Sequence, residues 1–376
     1  MTHRIVVLGA GYAGASAAGR LARRLHRDDV EITLVNADPE FVERVRLHQL
    51  AGGQDLRSRP LRDICAGTGV VSRQAWVTAI DADRGTVELA DAEALGYDTL
   101  VYALGSVAVD HVPGDHDVAG KASALRLRER LRESLPGTTV LIVGGGLTGI
   151  ETATEIAEAR PDLRVVLTAR GRVGDRLSDK ARRHLGAALD RLGVAVHEYT
   201  EITGTNRSIP ADITVWTTGF TVHPFAAAGT VTVSDTGRIV VDGTMRSISH
   251  PDVYAVGDAA LAEGAGGAPL RMSCASGIPM AWLAADAIAA RLTGRPVPST
   301  TIGYTVQCIS LGRRDAIIQR VTAADEVTET TVTGRTAAHI KEFICAGAAW
   351  SVAHPTLMLP TRRRRVVVDR NHATVG

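Results

Sequence analysis

The stretch Ile5-Val6-Val7-Leu8-Gly9-Ala10-Gly11-Tyr12-Ala13-Gly14 decides the fold of this chain. Four apolar, mostly β-branched residues read as a buried parallel strand. They run into G-x-G-x-x-G, then into a helix-forming segment (residues 15–25) and a second apolar run (residues 30–35). Each glycine answers a separate need: Gly9 the tight turn, Gly11 close approach of backbone to a pyrophosphate, Gly14 close packing of helix on strand. The helix N-terminus then presents unpaired amides and the positive end of its dipole to the phosphates. Set between strand and helix, the motif predicts a βαβ unit holding a dinucleotide. At the end of the second strand Asn36 stands where such units usually carry a ribose-binding acid. Its amide would still hydrogen-bond the ribose hydroxyls; the alternative is a plain strand-end turn residue.

The pattern recurs. Residues 139–143 lead into Gly144-Gly145-Gly146-Leu147-Thr148-Gly149-Ile150-Glu151, then a helix through Ala159 and a strand over residues 163–168. Two such units on one chain predict two dinucleotides, and electron transfer between them. Three further stretches fall between and after them: Leu100-Val101-Tyr102-Ala103-Leu104-Gly105-Ser106, Val215-Trp216-Thr217-Thr218-Gly219-Phe220, and Asp252-Val253-Tyr254-Ala255-Val256-Gly257-Asp258-Ala259-Ala260. Five motifs in this order resemble the pyridine nucleotide–disulfide oxidoreductase superfamily of two-dinucleotide flavoproteins. Within it the likeness is greatest to the type II NADH dehydrogenases (NADH:quinone oxidoreductases) and their soluble relatives, over residues 3–345.

The resemblance implies an α/β fold of glutathione-reductase type, with two Rossmann-like dinucleotide-binding domains and a small C-terminal α+β region. The FAD-binding domain would be discontinuous, residues 1–110 and 222–298; the NAD(P)-binding domain would span 111–221, and residues 299–376 would form a β-β-β-α region and tail. FAD would lie on Gly9, Gly11, Tyr12, Ala13 and Gly14, with Asn36, Ala103, Gly105 and Gly257 around it and Asp258 at its ribityl or pyrophosphate region. The nicotinamide cofactor would lie on Gly144, Gly146, Leu147, Thr148 and Gly149, with Gly219 at the crossover between domains. Glu151 would stand near nicotinamide and flavin; read from the residues alone, it is equally a carboxylate answering a helix dipole. Residues 276–279 followed by 280–292 read as a helix with Pro279 in its first turn. The resemblance places Pro279, Met280 and that helix's positive end toward the flavin.

Where disulfide-reducing relatives carry their redox-active cysteine pair, this chain has Phe41-Val42-Glu43-Arg44-Val45-Arg46-Leu47-His48-Gln49-Leu50. No cysteine is present there, which argues for direct flavin-to-acceptor transfer, with His48 or Gln49 beside the flavin ring. The four cysteines show no C-x-x-C pair, so neither a disulfide framework nor a cysteine-based metal site is expected. His111 and His116 flank a Pro-Gly segment that reads as an interdomain linker, so no metal is assigned to them. In the second unit the strand-end position that carries Glu in NADH-specific relatives is Ala169, with Arg170 and Arg172 following. Losing the acid removes repulsion of a 2′-phosphate and the arginines can bind it, so the reading leans to NADPH over NADH.

The remaining readings are exclusions and contrasts. Net charge is +1, with 42 basic and 41 acidic residues, and gives no electrostatic reason to expect nucleic acid. Only three of the basic residues are lysines: Lys121, Lys180 and Lys341. No leader and no bilayer-spanning run is apparent, so a cytoplasmic monomer or homodimer is expected. After Pro298, residues 304–310, 316–321 and 327–332 read as strands and 336–346 as a helix. Trp350, Leu357, Met358 and Leu359 precede Arg362-Arg363-Arg364-Arg365, which reads either as a weak membrane contact at the inner face or as a tail packed on its own protein with solvated arginines. The leading expectation is an NAD(P)H:acceptor oxidoreductase with a quinone-like acceptor. Its rivals are a flavoenzyme of a small specialised metabolite and a redox-sensing FAD/NAD(P)H-binding protein.

Overall fold

The computed structural model describes residues 2–109, 112–357 and 363–367; His111, Met358, Leu359 and Arg362 fall outside them. Two five-stranded parallel sheets organise the chain, each built around the strand that feeds a glycine loop. In the first, His3–Leu8 is central, paired with Val30–Asn36 on one side and Thr99–Tyr102 on the other; Val70–Gln74 and Val253–Ala255 form the edges. The second repeats the plan: Thr139–Val143 lies between Arg164–Thr168 and Ile213–Trp216, with Ala195–His197 and the short His116–Asp117 at the edges. Sheets covered on both faces need apolar residues at successive positions, and both central strands have them: Ile5 to Leu8 and Val140 to Val143 are buried without interruption.

The edge strand Val253–Ala255 joins the first sheet from 150 residues beyond Thr99–Tyr102, after the whole second sheet has been made. The chain leaves and re-enters through an antiparallel pair, Ser106–Ala108 with Phe220–Val222. A small antiparallel meander (Val77–Asp81, Thr86–Leu89, Ala94–Gly96) flanks the first sheet. Helix Tyr12–Arg24 packs beside helix Cys274–Leu292. Arg20 and Arg24 both pair with Asp286 across that contact, at 2.7 and 2.9 Å, and Leu21 is fully buried beneath it, worth roughly 2 kcal/mol in apolar burial.

The C-terminal region is the expected meander and helix, Val306–Ser310, Ala316–Val321 and Val327–Thr333 followed by Gly334–Ala353. The helix is longer at both ends than the expected 336–346. Gly347 in its interior costs about 1 kcal/mol against alanine, which burial of Ala349 and Val352 in the first core offsets. The first strand starts at Val306, not residue 304, because Tyr304 turns its hydroxyl onto the Arg271 amide. The described arginines of the basic run are tied to their own protein, though Arg365 stays exposed. Arg363 donates to the Ala22 carbonyl, the Arg364 carbonyl accepts from His26, and Arg365 pairs with Asp28 and Asp29. No helix among the described residues is long and apolar enough to cross a membrane.

Candidate dinucleotide and redox site

The two glycine loops have matching geometry. A Cβ built on Gly14 would lie 1.8 Å from the Gly9 carbonyl oxygen, and one on Gly149 would lie 1.8 Å from that of Gly144. Both helices therefore sit directly on their turns, and Gly9 (φ +93°) and Gly144 (φ +130°) hold backbone that side chains disfavour. At the middle glycines the opposite holds. A Cβ on Gly11 or Gly146 would meet nothing within 4 Å, so each helix N-terminus opens on free space. Tight at first and third glycine, open at the second, is the shape a pyrophosphate needs.

The surroundings of the first loop fit FAD. Ala103 lies against Gly9 and Gly14, and Gly257, next to Asp258 in the chain, lies against Ala13. Asp258 accepts from Ser106 Oγ at 2.6 Å, while Arg44 donates to the Ser106 carbonyl at 2.7 Å and lies against Gly105. Arg44 was not among the residues expected here; burial pulls its guanidinium pKa down, opposed by Asp258. The Tyr12 hydroxyl is buried with no partner, stacked edge-on to Phe41 at 4.9 Å, a polar atom left for a bound group. Within the chain, the Asn36 oxygen accepts from the Ala10 amide at 2.8 Å and its nitrogen donates to the Asp38 carbonyl. It braces the glycine turn.

The helix expected to begin at Ser276 begins at Cys274, capped from Ser273, so Pro279 lies in its second turn and Met280 is buried in the core. Ser276 explains the shift: its hydroxyl bonds the Arg271 and Ser273 carbonyls and closes the first turn early. The Ser276 and Gly277 amides both donate to the Ser273 carbonyl, so the helix opening lies at residues 274–275. Gly277 lies 3.6 Å, by its would-be Cβ, from Ala13.

Glu151 is not simply answering a dipole. Its carboxylate receives Lys341 from the C-terminal helix and the Ser310 amide at 3.0 Å, with His48 Nδ1 3.9 Å away. The structure thus brings Glu151 and His48 together and adds Lys341. Its signal was rarity: one of only three lysines, on a helix of small and apolar residues. Burial pulls the Lys341 ammonium down to about 8. Burial, with the nearby Lys341, Arg46 and Arg313 charges, holds His48 well below the ordinary histidine value, so its ring is neutral, and Nε2 has no partner. Gln49 turns the other way and accepts from Arg46, which also pairs with Glu43 and Glu342.

The cysteines near this site are poor nucleophiles. Burial pushes the Cys274 thiol up to about 11 and Cys308 to about 12, so both are protonated at neutral pH. No group of three or more metal-ligating side chains occurs among the described residues. Beyond the second sheet Ala169 is buried, whereas Arg170 and Arg172 are exposed at the strand end, Arg170 3.8 Å from Glu201. Gly219 (φ +74°) makes the turn out of that sheet, its carbonyl accepting from Val109. Leu147 and Thr148 form the first turn of helix Leu147–Ala159.

Comparison with known proteins agrees with this geometry. Residues 3–289 match the family model described as pyridine nucleotide-disulphide oxidoreductase. An NADH dehydrogenase-like protein of Mycobacterium tuberculosis is 32% identical over 351 residues, covering 84% of this chain and 87% of that one. The demethylphylloquinone reductase NdbB of Synechocystis is 27% identical over 84% of this chain and 86% of its own length. Among solved structures, the sulfide:quinone oxidoreductase of Aquifex aeolicus superposes with a TM-score of 0.79 at 17% identity, over 95% of this chain and 93% of that chain. With the family model spanning most of the chain and both glycine cradles formed, the chain belongs to the pyridine nucleotide-disulphide oxidoreductase family and is an NADH dehydrogenase-like oxidoreductase.

Proposed function

We propose that this protein is an FAD-dependent NAD(P)H:acceptor oxidoreductase that reduces a quinone-like acceptor, preferring NADPH. The observation that carries the reading is the Glu151–Lys341 pair, which joins the second glycine-loop helix, just past its first turn, to the C-terminal helix. In this reading residues 1–110 and 222–298 bind FAD through Gly9, Gly11, Gly14 and Asp258, and residues 111–221 bind the nicotinamide cofactor through Gly144, Gly146 and Gly149. Bound FAD would supply the two-electron carrier between nicotinamide and acceptor. The chain's own work is positioning and proton supply.

Reduction of a quinone to a hydroquinone consumes a hydride and one proton. Lys341 is the proton donor: its Nζ–H bond breaks, the quinone oxygen takes the proton, and a neutral amine remains. A value near 8 suits this task, because the ammonium is populated at neutral pH yet gives up its proton readily. Glu151 holds Nζ in place and answers its charge while it is protonated. The neutral, buried His48 ring closes that side of the pair against water. The demethylphylloquinone reductase relative supports a quinone-like acceptor, and the acid-free strand end with Arg170 and Arg172 beyond it supports the 2′-phosphate of NADPH.

The C-terminal helix adds a surface that suits a lipid-borne acceptor. Ile340, Phe343, Ile344 and Trp350 are exposed on it, with Leu357 beyond, and Phe343 is 78% exposed. A peripheral membrane contact would run through this ridge, since the basic tail is bonded to its own protein.

Anaerobic titration with NADPH and with NADH, following flavin absorbance, tests the reading. Bleaching by either, recovered on adding a quinone, is expected; bound flavin that neither bleaches would overturn it.

A further inference from the structure

One turn beyond Glu151 on the same helix stands a second carboxyl, Glu155, whose burial is nearly complete. Positions four apart share a helix face, so both project toward the short helix Leu47–Ala51 that carries His48. The fit is close: a Cβ on Gly52 would come within 2.7 Å of Glu155 Cγ, and the Gly52 amide donates to the His48 carbonyl. Glu155 Oε1 accepts from Gln54, a half-buried residue of the loop that follows. Glu155 Oε2 is buried with no partner. A buried carboxylate would pair both oxygens; a carboxylic acid leaving one oxygen unpaired incurs far less cost.

Resting on the proposed acceptor reduction, we infer that Glu155 is the proton reservoir that recharges Lys341, relaying through His48 and Glu151. After Lys341 gives its proton away, Glu155 releases one from its carboxyl and becomes a carboxylate. His48 takes that proton at one ring nitrogen and releases another from the opposite one toward Glu151, so the ring stays neutral overall. The Lys341 amine takes it from Glu151, and Glu155 recovers a proton from solvent past Gln54. No electrons move; the His48 ring ends each transfer as the opposite tautomer and must flip or re-tautomerise before the next, which returns every group to its starting state.

The electrostatic setting agrees. Burial raises the Glu155 carboxyl to about 7, with Glu158 raising it further and Arg313 opposing. Arg313 also bears on His48, which places it beside both groups. The charged groups that bear on Glu155 are Arg313, from the turn after Val306–Ser310, and Glu158 on its own helix; Glu151, one turn back, is the carboxyl that faces the His48 ring, at 3.9 Å, and Lys341 lies beyond it. A group titrating near the working pH both gives and recovers a proton quickly.

The variant Glu155→Gln keeps the shape and removes the proton. In the purified full-length protein, infrared difference spectra between pH 6 and pH 8 should carry a protonated-carboxyl band that titrates near 7 and is missing in the variant. Stopped flow should leave flavin reduction by NAD(P)H unchanged. Reoxidation by a soluble quinone should slow on the order of tenfold and lose the inflection near pH 7, keeping only the decline toward pH 8 that Lys341 sets. A band that persists in the variant, or a reoxidation pH profile identical to wild type, overturns the reservoir and leaves the reductase reading standing. If wild-type flavin is not bleached at all, the reductase reading fails and takes the relay with it. Gln54→Leu, which cuts the solvent side, should slow reoxidation without removing the band.

Discussion

Lys341 donates to Glu151 from 190 residues further along the chain. That bond ties the last helix to the glycine-loop helix Leu147–Ala159 of the second dinucleotide unit. Lys341 is buried and Glu151 is mostly covered, so the ammonium is not stable there without its partner.

Replacing Lys341 by methionine should therefore separate the two halves of the reaction. Flavin reduction by NAD(P)H should keep its rate, and reoxidation by a quinone should fall on the order of a hundredfold. In the wild type, reoxidation should decline as pH rises through about 8, because the donor is the protonated ammonium. Stopped-flow traces of each half-reaction decide it; an undiminished reoxidation rate removes Lys341 from the mechanism.

Stability should reveal the same pair without any cofactor. Glu151→Leu leaves a buried ammonium unpaired and should cost about 3–5 kcal/mol. The double variant Glu151→Leu with Lys341→Met should recover most of that. Urea unfolding of the four proteins measures the coupling, and simple additivity would rule out a buried ion pair.

The glycines should sort by geometry. Gly14→Ala and Gly149→Ala each drive a Cβ into a backbone oxygen and should destabilise by roughly 3 kcal/mol or more. Gly11→Ala meets open space, so its melting temperature should hardly move while FAD is lost. Gly146→Ala should keep the flavin and abolish bleaching by NAD(P)H. A Gly11→Ala protein that retains full flavin content contradicts the proposed cradle.

Arg170→Ala should lower the NADPH/NADH efficiency ratio by about tenfold, one charge-assisted contact to a 2′-phosphate being worth about 1.5 kcal/mol. Steady-state kinetics with both cofactors provide the check. An unaltered ratio points to NADH or to Arg172.

Phe343→Ser combined with Ile340→Ser should reduce co-sedimentation with phosphatidylglycerol vesicles at least tenfold, given roughly 2 kcal/mol per large apolar side chain withdrawn from lipid. Equal pelleting of the two proteins would place any membrane contact elsewhere.

Much of this site was local enough to be legible. Gly9, Gly11 and Gly14, and their counterparts Gly144, Gly146 and Gly149, are spaced by the physics of a single strand-turn-helix, so reading them required nothing distant. Pro279 misled because proline marks helix starts on average, while here Ser276 bonds the Arg271 carbonyl and starts the helix earlier. The bond from the Ala10 amide to Asn36 was not legible, because it joins a strand end to a turn 26 residues earlier.

The sequence by itself determined the two βαβ units, their order and the glycine positions that shape them, because strand periodicity, turn backbone and helix-end charge are set within about thirty residues. Only the tertiary structure decided the company those units keep. Lys341 meets Glu151, Arg44 meets Ser106 and Asp258, and Glu155 loses its solvent because segments hundreds of residues apart are packed together. Burial and electrostatic pairing depend on that packing, and no local pattern in the chain encodes it.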